Sequence, residues 1–144
     1  MSGPTAAGDR LTITVDAYDA ILAHAREDAP HEAVGVLVGD RTDPERVTRV
    51  ERARNAAANP GNRYALDPVD QLSLLEGVEE AGDDVVGFYH SHPHGPDGPS
   101  GVDRDRATWE GYVYAIASLA DEPTLRAWRW SGDEFEPLAV AVDS

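Results

Sequence analysis

The sequence predicts a single α/β domain, and three observations support this prediction. The chain has 144 residues, which is enough to bury one hydrophobic core. Segments with the residue alternation of β-strands are interleaved with segments of helical periodicity. The chain is 41% hydrophobic, and its 10 prolines and 13 glycines mark turns between these segments.

The first third of the chain predicts three strands and one helix. The segment LTITV (11–15) alternates and is rich in β-branched residues, which is typical of a strand. Asp16 can cap a following amphipathic helix, and that helix should end before Pro30. The apolar run AVGVLVGD (33–40) predicts a central strand that is buried on both faces. Valines alternate with charged residues in 46–56, which predicts a half-exposed strand.

The rest of the chain predicts a second helix, a third short helix and four more strands. Asp67 is placed as the N-cap of this helix and Pro68 as its first residue, and Gly82 should end it. We expect its inner face to be made by three apolar residues, which are Leu72, Leu75 and Val78. A short helix is predicted over 103–110. The four strands are predicted at 84–92, 112–120, 124–130 and 134–142.

The net charge of −15 argues against nucleic acid as a partner, because phosphate binding needs a basic face. All 12 basic residues are arginines. The acidity is best explained by a halophilic source, since concentrated salt screens the repulsion between like charges. An acidic face that binds a basic partner is the alternative explanation. The chain has no cysteine, which excludes thiolate metal sites and cysteine-based catalysis.

The sequence contains no candidate membrane segment. No apolar run approaches the roughly 20 residues that a membrane span needs, and the first ten residues do not resemble a signal peptide. We therefore expect a cytoplasmic protein with no membrane partner. Residues 1–10 are predicted to be a flexible N-terminus and 11–144 to form the domain. The oligomeric state cannot be predicted from these patterns.

Two histidines one residue apart provide a candidate metal site. His90 and His92 should lie on one face of the strand 84–92, because successive side chains of a strand point to opposite faces. Two imidazoles at this spacing can reach one divalent ion. Pro93 ends the strand, and the following loop can bring Asp103 to the same ion. Two histidines and one carboxylate leave a fourth position for water, which is typical of catalytic zinc, although cobalt, manganese or iron also accept these ligands.

Structural explanations exist for each part of this pattern taken alone. Two histidines at this spacing are weak evidence for a metal site. Ser100 and Asp103 also match a helix capping box, and this explanation is compatible with metal binding. We interpret His94 as a surface residue or a substrate contact, and His24 and His31 as surface residues with no role.

The combined pattern resembles a known signature. His90-x-His92, then seven residues, then Ser100-x-x-Asp103 is similar to the signature of the JAMM (MPN-plus) metalloproteases. This family also has a glutamate upstream, at or just before a buried strand, and Glu32 matches it here.

The resemblance extends from about residue 11 to about residue 120, and it includes the loop and helix start at 59–68. It implies the JAMM/MPN fold, which is similar to that of cytidine deaminases and has a curved mixed β-sheet flanked by helices.

The resemblance also implies a role for each site residue. His90, His92 and Asp103 are similar to the family's zinc ligands, which hold one ion with a bound water. Glu32 is similar to the general base, and Ser100 is similar to the residue that donates a hydrogen bond to the oxyanion. Zinc would lower the pKa of its water towards about 7, so that a nearby carboxylate can take the proton.

Within the family, the chain most resembles archaeal desampylases. These remove ubiquitin-like small archaeal modifier proteins (SAMPs) from lysine side chains. The resemblance implies an isopeptidase that cleaves after the C-terminal glycine of such a modifier, in lysine conjugates or linear fusions. We expect the extended tail of the modifier to add as a strand to an exposed sheet edge.

Three alternatives remain open. The first is a JAMM peptidase that processes a ubiquitin-like sulfur-carrier protein for cofactor or cysteine biosynthesis. The second is a non-catalytic MPN scaffold, although such proteins typically lack the metal ligands that this sequence has. The third is a relative that acts in DNA repair, which conflicts with the acidic charge.

Overall fold

The structure is a computed structural model that describes residues 10–41, 45–53, 68–93, 109–119 and 122–143. Within these ranges the chain forms strands and helices in a mixed order. They are β1 (Arg10–Thr14), α1 (Val15–Asp28), β2 (Val34–Asp40), β3 (Glu45–Ala53), α2 (Pro68–Glu80), β4 (Asp84–His92), β5 (Val113–Ser118), β6 (Thr124–Trp130) and β7 (Phe135–Asp143). All predicted strands are present, and β4 and β6 have the predicted bounds.

The strands close into a barrel in the order β1-β3-β2-β4-β5-β6-β7, with β7 returning to β1. The β1–β3, β1–β7 and β4–β5 pairs are parallel and the others are antiparallel, which confirms a mixed sheet. The closure differs from the expected curved sheet, because β1 pairs with both β3 and β7 and so joins the two ends of the sheet. Each described strand pairs with a strand on both sides over part of its length. Within the described ranges, residues 49–53 of β3 and 124–126 of β6 have a strand partner on one side only, so an unpaired edge remains at these two places.

Helix α1 is capped by Thr14, not by Asp16 as predicted. Thr14 has extended backbone angles and its side chain accepts a hydrogen bond of 3.2 Å from the amide of Ala17. The helix therefore begins directly after β1, and Asp16 lies in its first turn, where a negative charge is favourable. The helix ends at Asp28, which confirms the predicted end before Pro30.

The main core lies between α1 and the barrel. One face of α1 packs with buried residues of all seven strands, so burial of this face and closure of the barrel stabilise each other. The α1 residues in this core are Ala17, Ile21, Leu22 and Ala25, and the largest strand residues are Leu11, Ile13, Leu37 and Tyr89.

Helix α2 packs on the other face of the sheet. Val78 is buried in a second apolar cluster with Phe88 and Trp130, and Leu74 packs against that cluster. The predicted inner face was therefore partly wrong, because Leu72 is 60% exposed. The predicted cap Asp67 lies outside the described residues. Gly82 follows the helix with a φ of 80°, which glycine adopts without strain.

An irregularity in β4 sets which side chains face the candidate site. The pairing of β2 with β4 shifts between Leu37 and Val38, and this shift leaves one extra residue in β4. Beyond it Tyr89 belongs to the main core, whereas Phe88 belongs to the cluster under α2. By alternation, the side chain of Ser91 points inward and those of both site histidines point outward.

Some expectations fall on residues that the structure does not describe. Residues 1–9 of the predicted flexible N-terminus lie outside the described ranges, and β1 begins at Arg10. Most of the predicted helix over 103–110 also lies outside them. No helix in the described part of the chain is both long and apolar enough to cross a membrane.

Candidate metal and catalytic site

The two histidines at the end of β4 lie together in a buried position. His90 is 2% exposed and His92 is 6% exposed. Their Nε2 atoms are 3.2 Å apart, and the ring centroids are separated by 5.0 Å. The predicted common face is therefore confirmed, and both rings present the same nitrogen to the same point.

This spacing fits a shared metal ion. Two nitrogens that bind zinc at about 2.0–2.1 Å with a tetrahedral angle lie about 3.3 Å apart. The observed separation of the two Nε2 atoms is 3.2 Å. Imidazole nitrogen is also a common ligand for several first-row metals, so this distance supports a metal site without selecting zinc.

Glu32 lies beside the histidine pair, as the sequence predicts. It is 6% exposed, and one of its carboxylate oxygens lies within 4.8 Å of the ligand nitrogens of His90 and His92. Glu32 precedes β2, and Val34 at the start of β2 pairs with His90. The antiparallel pairing of β2 with β4 therefore brings Glu32 to two histidines that lie 58 and 60 positions later in the sequence.

Ser91, which lies between the two histidines, forms hydrogen bonds that join β4 to Ala33, the residue after Glu32. The amide of Ala33 donates a hydrogen bond of 2.7 Å to Ser91 Oγ, and the amide of Ser91 donates one of 3.0 Å to the carbonyl of Ala33. Ser91 has no predicted role from the sequence alone. The only available signal was a polar residue at an inward position of a buried strand.

Another serine missed in the sequence lies on the far side of His92. Ser118 ends β5 and is the parallel partner of His92, so the two side chains lie on the same face of the sheet. The amide of the next residue, Leu119, donates a hydrogen bond of 3.3 Å to the carbonyl of His92. Strand β5 therefore supports the end of β4 on the side opposite to Glu32.

Three sequence-predicted residues cannot be placed. Ser100, Asp103 and His94 lie outside the described residues. Within the described ranges, the group of side chains able to hold a metal is Glu32, His90 and His92. The roles of Ser100 and Asp103 stay predictions.

His24 was wrongly predicted to be a surface residue. It is 3% exposed, its Nδ1 lies 2.6 Å from the hydroxyl of Tyr89, and its Nε2 lies 3.1 Å from a carboxylate oxygen of Asp28. Burial lowers the pKa of the His24 imidazole and raises the pKa of the Tyr89 phenol. The error arose because His24 lies three positions after Ile21 and so on the buried face of α1. His31 is exposed, as predicted.

Comparison with known proteins gives a consistent result. Residues 14–131 match the family described as prokaryotic homologs of the JAB domain. A desampylase of Haloferax volcanii is 50% identical over 138 residues, which are 93% of this chain and 97% of that protein. A CysO-cysteine peptidase of Mycobacterium tuberculosis is 38% identical over 124 residues, which are 83% of this chain and 82% of that protein.

Solved structures agree with the family match. A protein of Desulfitobacterium hafniense has a TM-score of 0.85 at 31% identity, and the match covers 93% of each chain. A JAB1/MPN domain protein from Archaeoglobus fulgidus has a TM-score of 0.58 at 20% identity, over 91% of this chain and 97% of that one. With a buried Glu32 beside a histidine pair at metal-binding distance, the chain belongs to the prokaryotic JAB-domain family of JAMM/MPN proteins and is desampylase-like.

Proposed function

We propose that this chain is a zinc-dependent isopeptidase that cleaves after the C-terminal glycine of a ubiquitin-like modifier protein of SAMP type. It releases the modifier from lysine conjugates or from linear fusions. The observation that carries the proposal is the buried group of Glu32, His90 and His92, in a chain that is 50% identical to a desampylase.

In this proposal His90, His92 and Asp103 hold one zinc ion. When bound, the ion supplies Lewis acidity, which lowers the pKa of a water from 15.7 towards about 7 and polarises the substrate carbonyl. Imidazole and carboxylate ligands suit zinc, and three protein ligands leave a position open for catalysis. The separation of 3.2 Å between the two Nε2 atoms supports this assignment of the histidines.

Glu32 acts as the general base and then as the general acid. It takes a proton from the attacking water while the water oxygen bonds to the scissile carbonyl carbon. It then passes that proton to the leaving amine as the carbon–nitrogen bond breaks. Because Glu32 is buried beside the histidines, few bulk waters compete for this proton. Ser100 donates a hydrogen bond to the developing oxyanion, which is worth about 3 kcal/mol when a comparable donor is removed elsewhere.

The test is cleavage of a purified modifier–lysine conjugate with and without a chelator, for the wild type and for Glu32→Gln. Glu27→Gln is the matched control, because Glu27 is an exposed carboxylate that pairs with Arg52 on the surface. We expect chelator-sensitive cleavage by the wild type and the control, and a loss of at least about 100-fold in the Glu32 variant with zinc still bound. Chelator-insensitive cleavage would remove the metal from the proposal, and an active Glu32 variant would remove the base.

A second candidate substrate is favoured by a specific relative. The match to a CysO-cysteine peptidase supports a peptidase that processes a ubiquitin-like sulfur-carrier protein with the same site residues. The two functions differ in the amine that is joined to the modifier's terminal glycine. This amine is a lysine side chain in the first function and a small molecule such as cysteine in the second. Parallel assays with the two adducts of one modifier distinguish them by kcat/KM.

Two finer expectations stay predictions. One is a relationship between this fold and that of the zinc deaminases, and the other is a cytoplasmic location.

A further inference from the structure

We propose that Ser91 is a positioning residue whose hydroxyl holds Glu32 in place relative to the two histidines. This inference rests on the proposed function, since it assigns Ser91 to the support of the proposed general base.

The pairing of β2 with β4 ends with a side-chain hydrogen bond in place of a main-chain one. Val34 pairs with His90, so Ala33 and Ser91 are the next opposed residues. In an antiparallel sheet every second opposed pair exchanges two main-chain hydrogen bonds, and Ala33 and Ser91 are at such a position. One of them is present, from the amide of Ser91 to the carbonyl of Ala33 at 3.0 Å. In place of the other, the amide of Ala33 donates to Ser91 Oγ at 2.7 Å.

The hydrogen bond to Ser91 Oγ holds the peptide unit next to Glu32. The amide nitrogen of Ala33 belongs to the peptide that joins Glu32 to Ala33. Because a peptide unit is planar and rigid, a hydrogen bond at this nitrogen limits how far the Glu32 Cα atom, from which the side chain starts, can move. The anchor for Glu32 is therefore a side chain of the same strand that carries both histidines.

Three consecutive residues of β4 have different roles. His90 and His92 face the metal site, while Ser91 points inward and is 0% exposed. The Ser91 hydroxyl is thus too deeply buried to contact a substrate, and its effect must pass through the backbone. The position of the Glu32 side chain matters for catalysis, since a displacement of about 1 Å in a catalytic group can lower the rate by about 100-fold.

The alternative is that Ser91 has a purely structural role, because the buried amide of Ala33 needs an acceptor whatever the function.

Tyr89 provides a matched control. It lies on the same strand, points inward like Ser91, and makes a side-chain hydrogen bond of 2.6 Å to His24, which lies on α1 eight positions before Glu32. Tyr89→Phe therefore removes one buried hydrogen bond of β4 and leaves the hydrogen bonds of the Ala33 amide and carbonyl in place.

The experiment compares the full chain with Ser91→Ala, Ser91→Thr and Tyr89→Phe. It measures kcat and KM on a modifier–lysine conjugate, zinc affinity by competition with a chelating dye, the thermal midpoint, and hydrogen exchange of the Ala33 amide by NMR. We expect Ser91→Ala to lower kcat by about 10- to 100-fold with KM and zinc affinity nearly unchanged. The Ala33 amide should exchange faster in this variant. Ser91→Thr should restore kcat, and Tyr89→Phe should lower only the thermal midpoint.

Several results would overturn the inference. These are an unchanged kcat in Ser91→Ala, a loss of zinc affinity as large as the loss of kcat, and an equal loss of kcat in Tyr89→Phe. If Ser91→Ala does not fold, Ser91→Cys keeps the packing with a weaker acceptor, and the same criteria apply to it. An active Glu32→Gln variant in the same assay would instead refute the proposed function, so the two failures are distinguishable.

Discussion

The Nδ1 atom of His24 and the hydroxyl of Tyr89 lie 2.6 Å apart in the protein interior, and this hydrogen bond joins α1 to the strand that carries the metal-site histidines. Tyr89 directly precedes His90 and points to the opposite face of β4. This buried polar contact thus involves a histidine that the sequence pattern placed on the surface.

Acid should destabilise the fold through His24. Burial lowers the pKa of its imidazole below the ordinary 6.5, although the Asp28 carboxylate partly opposes this shift. The unfolded chain therefore binds this proton at a higher pH than the folded chain. We expect the neutral His24 to contribute fully to the free energy of unfolding above about pH 6.5. That contribution should decrease as the pH falls from there towards the lowered folded-state pKa, by at most about 1.4 kcal/mol per pH unit.

Urea unfolding at about pH 8 and about pH 5.5 tests this prediction for the wild type, His24→Gln and His31→Gln. The stability difference between the wild type and His24→Gln should shrink at the lower pH. His31 is exposed, so His31→Gln should follow the wild type at both values. A constant difference between the wild type and His24→Gln would contradict the buried neutral state.

The zinc affinity of variants should distinguish the residues that bind the metal from the residue that acts as the general base. His90→Ala removes a nitrogen of the pair with Nε2 atoms 3.2 Å apart, and we expect zinc affinity to fall by more than about 100-fold. Asp103→Asn should have a similar effect if Asp103 is the third ligand. Glu32→Gln should change the affinity by less than about tenfold, because the amide removes the base and leaves the ligands.

Competition with a chelating dye measures these affinities, and His31→Ala serves as the control for loss of an exposed histidine. The opposite ranking, with Glu32→Gln losing zinc and Asp103→Asn retaining it, would make Glu32 the third ligand. The structure is compatible with Glu32 as a ligand, because one of its carboxylate oxygens lies within 4.8 Å of the ligand nitrogens of both histidines.

Two glycine substitutions should change stability in opposite directions. A Cβ atom on Gly87 would lie 1.8 Å from the carbonyl oxygen of Val113, a main-chain atom of the adjacent strand that cannot move without breaking the pairing of β4 with β5. A Cβ atom on Gly77 of α2 meets no other atom within 4 Å. We expect Gly87→Ala to be destabilised by more than about 3 kcal/mol and Gly77→Ala to be stabilised by about 0.5–1 kcal/mol.

Urea unfolding of both variants measures these changes. A Gly87→Ala variant as stable as the wild type would mean that β4 and β5 are not paired as closely as the structure has them. A destabilised Gly77→Ala would contradict the open surroundings of that position.

Salt should stabilise the chain, because its net charge is −15. Glu79 and Glu80 lie in the last turn of α2, where negative charge is unfavourable and where the helix has no basic residue. We expect Glu80→Gln to raise the thermal midpoint in dilute buffer. The gain should vanish in about 1 M salt, at which the Debye length is about 3 Å.

Thermal unfolding across a salt series measures this effect in the wild type and in Glu80→Gln. Glu27→Gln is the comparison, because Glu27 pairs with Arg52 and its neutralisation removes a favourable contact. A wild type that is equally stable in dilute buffer and in concentrated salt would contradict the halophilic explanation of the acidity.

The sequence by itself determined the strands and the face of the histidine pair. Strand bounds follow from the alternation of side chains and from apolar runs, which depend on a few adjacent residues. The common face of His90 and His92 follows from the two-residue period of a strand. The motif also led to Glu32 before any distance was known, although only by resemblance to a family.

Only the tertiary structure decided the closure of the barrel, the burial of His24 and the anchoring of Glu32 by Ser91. Strand β1 pairs with β7 about 130 positions away, and no pattern within either strand specifies that partner. His24 is polar, yet its position on the inner face of α1 and its hydrogen bond to Tyr89 make burial favourable. Periodicity is a local property of the chain, whereas pairing and desolvation depend on residues brought together only by folding.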